Sequence, residues 1–186
     1  MNYRKWILIS TVLFIFGLLL GLIIPTEGAD PFLAEAAALD EMAGIIAPLP
    51  QVAVFFFILL KNISVIVLSF VLSPLLCIVP VITLVLNGGV IGLVSSIIIE
   101  EESLRFLLTG LLPHGILELP ALIMGEAVAF SFGIAVLQGI FGKNKQDNIK
   151  SNLQNNLKYL AVSAGLFLVA AVIETFVTPV LLDHVA

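Results

Sequence analysis

"VAVFFFILLKNISVIVLSFVLSPLLCIVPVITLVLNGGVIGLVSSIII" occupies residues 52–99, and Lys61 is its only charged residue. A helix needs ~20 apolar residues to cross a bilayer. This stretch therefore holds two crossings, with the turn at Ser73-Pro74, giving spans over 52–72 and 75–99. Lys61-Asn62 interrupts the first of them. Either the span begins near residue 52, or 52–60 is an interfacial elbow and Lys61 snorkels to the headgroups. Pro80, Asn87, Gly88, Gly89 and Gly92 make the second span irregular.

The rest of the chain agrees with a membrane reading. Of its 186 residues 60% are hydrophobic and 11% charged, whereas a soluble domain carries about a quarter charged residues. Mean hydropathy is +1.19. The apolar runs are continuous, without the alternation of a β-barrel. On the N-terminal side, Trp6–Ile24 is long enough to span. Residues 26–51 hold Glu27, Asp30, Glu35, Asp40 and Glu41 without a Lys or Arg. Over 30–47 these acids alternate with Phe32, Leu33, Leu39, Met42, Ile45 and Ile46, the pattern of an amphipathic segment on the outer membrane edge.

On the C-terminal side, "EEES" at 100–103 is followed by apolar sequence over 104–142, divided by Pro113 and Gly115. It reads as a broken or re-entrant piece at 104–112 and a fourth span at 114–142. A polar, basic loop, "KNKQDNIK" at 143–150, precedes a fifth span at 157–182. The expected fold is all-α: one membrane domain covering 1–186, with about five transmembrane helices. Arg4, Lys5, Lys143, Lys145, Lys150 and Lys158 are six of the eight basic residues. Five spans put all six on one side, which is the cytoplasmic side by the positive-inside rule. The N-terminus is then inside and the C-terminus outside, in a multi-pass protein of the cell membrane.

Polar groups inside such spans are costly, at least ~2.5 kcal/mol for a charge at mid-helix, and need partners. His114 and Glu118 share a helix face at i, i+4, Glu126 lies two turns on, and Glu174 is in the last span. Asn62 and Asn87 are candidate partners, as are Lys61 and the backbone freed by Pro113, Pro120 and Pro179. This network either fixes helix packing or forms a proton- or ion-coupled path, as in transporters with broken helices. A metal site would find in H-x-x-x-E only two ligands, with His184 in the tail. No hydrolase motif occurs, so no enzyme and no cofactor is expected. Gly17 and Gly21 form G-x-x-x-G, which brings helix backbones close within one chain or in a homo-oligomer. Gly88, Gly92, Gly115 and Pro120 are further packing positions. Cys77, the single cysteine, is a small packing residue. No basic cluster points to nucleic acid.

"LPHGILELPALIMGEAVAFSFG" at 112–133 resembles the hallmark of the stage II sporulation protein M family. Its elements are His114-Gly115, Glu118 and Pro120-Ala121, opening a helix that leads to Gly133. "FFFILLKN", "NGGVIG" and "AAVIETFVTP" fit the same family pattern, and together the likeness covers most of 50–180. Two positions depart from it. Lys61-Asn62 stands where many relatives have two asparagines, and Glu126 stands where small residues are usual. The resemblance implies a polytopic membrane scaffold that recruits envelope proteins, cell-wall hydrolases among them, as the name-giving members do during spore engulfment. A transporter or permease component is the alternative from the residues themselves.

Overall fold

The computed structural model describes residues 3–24, 29–141 and 147–184, and their side chains except at 43, 101, 114 and 147–151. Among the described residues there are seven helices and no strand: α1 (Tyr3–Ile23), α2 (Asp30–Ile46), α3 (Gln51–Leu72), α4 (Ile78–Glu101), α5 (Leu104–Phe141), α6 (Asp147–Phe176) and α7 (Thr178–Asp183). Helices are the expected outcome of this sequence, because backbone polar groups within lipid must be satisfied inside the segment itself. Five segments are long and apolar enough to cross a membrane: Tyr3–Ile23, Gln51–Leu72, Ile78–Glu100, Gly115–Phe141 and Asn152–Asp183.

The boundaries refine the expectation. α3 runs unbroken from Gln51 past Lys61, so there is no elbow at 52–60, and Lys61 stands mid-helix. The connection expected at Ser73-Pro74 takes all of 73–77, with Leu76 and Cys77 both at φ 56°. Two adjacent side-chain-bearing residues in the left-handed region are uncommon, and they delay the start of α4 to Ile78.

α5 is helical throughout its 38 residues despite Pro113 and Pro120. At 1.5 Å per residue it measures about 57 Å, nearly twice the ~30 Å hydrocarbon core. Only Gly115–Phe141 has the length and hydropathy of a crossing, and Leu104–Pro113 is a short apolar helix ahead of it. The division expected at Pro113 is thus a change of role along one helix, whose backbone continues through His114.

Connectivity places α2, the end of α4, the start of α5 and α7 at one end of the bundle. The start of α1, the 73–77 turn and the α5–α6 connection occupy the other. The core lies along the bundle axis, where Phe14, Leu59, Ile66, Leu84, Leu122, Phe130 and Phe167 pack together. α1 and α4 touch through backbone. A methyl group added at Gly17 would overlap the Val85 carbonyl, at Gly21 that of Gly89, at Gly88 that of Phe14 and at Gly92 that of Leu18. Small residues drive helix contact where lipid tails are as apolar as leucine. The G-x-x-x-G of α1 is therefore occupied within the chain.

α2 does not merely rest at the edge. Ala29 and Phe32 are buried in a second cluster with Val90 and Leu93 of α4. The Phe32 ring fills the space where Gly89 lacks a side chain. Pro31 sits in the first turn, where its missing N–H costs nothing. Anchored there, α2 reaches across the end of the bundle toward α3.

Candidate functional site: an intramembrane polar cavity under α2

Beneath α2 lie three adjoining cavities of about 250, 220 and 570 Å³. The first is lined by Lys61 and Asn62 from α3, Glu118 from α5 and Glu174 from α6, with Leu39, Met42 and Ile46 of α2 above them. The second shares Lys61, Glu118 and Glu174 and adds Asn87 of α4 and Glu35 of α2. Glu174 and Leu39 line all three, so these two residues mark the junction.

Each polar side chain reaches the cavity for a local reason. On α3 the buried residues are Leu59, Asn62, Ile66, Ser69 and Phe70, a stripe at helical spacing that turns Asn62 inward with the core. Asn62 is 7% exposed, and it lines the first cavity. The Asn87 amide instead donates to the Thr83 carbonyl one turn back, at 2.8 Å. Glu174 stands just before the α6–α7 break at Val177, where the Pro179 ring cannot donate to the helix. It lies within electrostatic reach of Glu118 and Lys61. Lys61 is ten residues into α3, about 15 Å along the helix axis, which sets the floor of the site near the middle of that helix.

The expected network divides in two. Glu118, Glu174, Asn62 and Asn87 converge on the cavity, with Lys61. Glu126 does not join them. It is 0% exposed, and one carboxyl oxygen accepts a hydrogen bond from the Ser69 hydroxyl of α3. Its other oxygen, Oε1, has no partner among the described residues. Eight residues past Glu118 on a helix of 3.6 per turn, it has rotated about 80° away and descended two turns. His114 lies on the helical backbone of α5, but its side chain is outside the described residues. Gly115 lines the second cavity, and a methyl group there would meet only Leu111 of its own helix at 3.8 Å. Pro120 is exposed. Neither makes the close helix approach that Gly125 makes to Ile66 or Gly133 makes to Ser73.

Reading the sequence missed Ser69, Glu35 and Leu39. Ser69 was detectable in principle, since it lies seven residues from Asn62 on the same inward face. Glu35 and Leu39 were not, because only the folding of α2 over the bundle brings them to the site. Among the described residues no three His, Cys, Asp or Glu side chains are grouped to hold a metal ion.

Comparison with known proteins gives the lineage of this architecture. A family model for stage II sporulation protein M matches residues 10–179, which takes in most of all five long apolar helices and every charged residue lining the cavities. The chain is 30% identical over 123 residues to "Uncharacterized protein MJ0793" of Methanocaldococcus jannaschii, covering 66% of this chain and 69% of that one. No solved structure matches. The chain belongs to the stage II sporulation protein M family.

Proposed function

We propose that this protein takes up a polar or charged ligand in the outer half of the bilayer and passes it on unchanged, as a permease-type component without enzymatic activity. The observation that carries this reading is the convergence of Lys61, Asn62, Glu118 and Glu174 from three different helices on one cavity under α2. Ionisable groups at membrane depth are retained where they serve an ion or substrate path. A packing network alone needs no cavity between its members. The protein sits in the cell membrane with its N-terminus cytoplasmic and its C-terminus outside, supported by the basic residues at the α1 start and around the α5–α6 connection.

The test is water access. With Cys77 replaced by alanine, Glu174→Cys and Leu39→Cys are expected to react with a charged, membrane-impermeant thiol reagent added outside intact cells. A buried control, Phe167→Cys, is expected to stay unreacted. Failure of Glu174→Cys to react in a folded protein would remove the aqueous cavity and the reading with it.

The family match supports a second reading, a scaffold that recruits envelope proteins such as cell-wall hydrolases, alone or as a homo-oligomer. The conserved-volume change Glu174→Gln separates the two. Under the first reading ligand handling is lost and partner recruitment is unmoved; loss of recruitment in a protein that still folds favours the second.

A further inference from the structure

The cavities differ in chemistry, and the difference describes a ligand. The two that contain Lys61, Glu118 and Glu174 set these charged side chains among apolar ones. The third, of 570 Å³, is walled by Val90, Val94, Ile98, Phe106, Leu107 and Leu182, with Ser95, Asp40 and Glu174 its polar lining. Glu174 stands where the polar and apolar spaces meet. Resting on the ligand-binding reading above, we infer that the ligand is an amphiphile with an amine-bearing head: the head among Glu118, Glu174 and Asn62, the aliphatic tail in the space between α4 and the first turns of α5.

Charge decides the kind of head. Among the described residues, Glu35, Glu118 and Glu174 line the second cavity together with Lys61. A purely anionic head would set its charge against three carboxyl groups. A protonated amine pairs with them, and Lys61 remains for a phosphate or carboxylate on the same molecule. A zwitterionic head therefore fits the whole lining. The Asn62 amide, 7% exposed and on the wall of the first cavity, adds donors and an acceptor there. Shape decides the tail. The lining of the third cavity is apolar over most of its length, and a ligand without a tail would leave that space unused.

Three probes isolate the parts: lysophosphatidylethanolamine, lysophosphatidylglycerol with the same acyl chain, and free phosphoethanolamine. Binding to the purified full-length protein in maltoside detergent is followed by native mass spectrometry and calorimetry. Lysophosphatidylethanolamine is expected to bind at least tenfold more tightly than either of the others. Glu174→Gln is expected to weaken it at least tenfold, and Val94→Trp to weaken it without changing phosphoethanolamine binding. Thermal unfolding checks each variant, and Ile98→Phe replaces Val94→Trp if the latter fails to fold. Equal binding of the glycerol lipid overturns the amine assignment. Equal binding of phosphoethanolamine, unmoved by Val94→Trp, overturns the tail. If no probe binds while Glu174→Cys still reacts from outside, the ligand class falls and the aqueous cavity stands.

Discussion

Glu126 shows how one carboxyl is accommodated inside a membrane helix bundle. It is fully enclosed and takes the Ser69 hydroxyl as donor, tying α5 to α3 without a described cation. Glu126→Gln keeps the volume and an acceptor for Ser69, and its thermal stability is expected to stay close to the parent's. Glu126→Ala leaves the Ser69 hydroxyl without this acceptor and opens a void. It is expected to cost about 1–3 kcal/mol, read as a lowered unfolding midpoint in detergent. Equal loss in both variants would mean that the charge, not the hydrogen bond, matters. Lys61 is the complementary case. Its ammonium shares a cavity with Glu118 and Glu174, and removing it leaves carboxyl groups of one sign together. Lys61→Met is expected to fold less stably than the double variant Lys61→Met/Glu174→Gln, a non-additivity measurable in a double-mutant cycle. Strict additivity would show that the two do not sense each other.

Among the elements, the α1–α4 pair is held by an absence of side chains. Gly17, Gly21, Gly88 and Gly92 each put backbone against backbone. Gly21→Val is expected to destabilise by about 1–3 kcal/mol or more, since neither helix can yield without losing the facing glycine contact. Gly44, with nothing within 4 Å of an added methyl, is the matched control. Gly44→Ala is expected to be neutral or slightly stabilising through helix propensity, and a loss there equal to that of Gly21→Val would undo the close-packing argument. α2 depends on a single aromatic anchor. Phe32→Ala removes the ring that occupies the space beside Gly89 and is expected to loosen α2. The visible result would be faster reaction of Leu39→Cys and Glu174→Cys with the impermeant reagent, several-fold or more, while the bundle stays folded. An unchanged rate would mean that α2 is held by contacts other than Phe32.

At the scale of the whole molecule, five crossings fold into a bundle with the site at one end only. α2, the 100–103 connection and α7 gather at that end, and Arg4, Lys5 and Lys158 lie toward the other. Accessibility should follow. Asp183→Cys is expected to react with an impermeant reagent from outside intact cells, and Lys5→Cys only after lysis. The reverse pattern would invert the topology and with it the side from which the cavity is reached.

Composition and apolar run length determined the class of this protein. Continuous hydrophobicity admits no other way to satisfy the backbone in lipid, so the all-helical class and the five long apolar helices were legible in the residues. The small-residue positions Gly17, Gly21, Gly88 and Gly92 were legible too, as places of close approach, though not as each other's partners. The tertiary structure alone decided pairing. Helical periodicity states which residues share a face, not which helices share a wall. Lys61, Glu118 and Glu174 are therefore distant in sequence and joined only by the packing of α3, α5 and α6. Helical spacing alone turns Glu126 about 80° from Glu118, but only the packing of α5 on α3 shows that it meets Ser69 there. Packing also turns α2 from a surface segment into the cover of the cavity, because Phe32 finds its seat on a glycine more than fifty residues away.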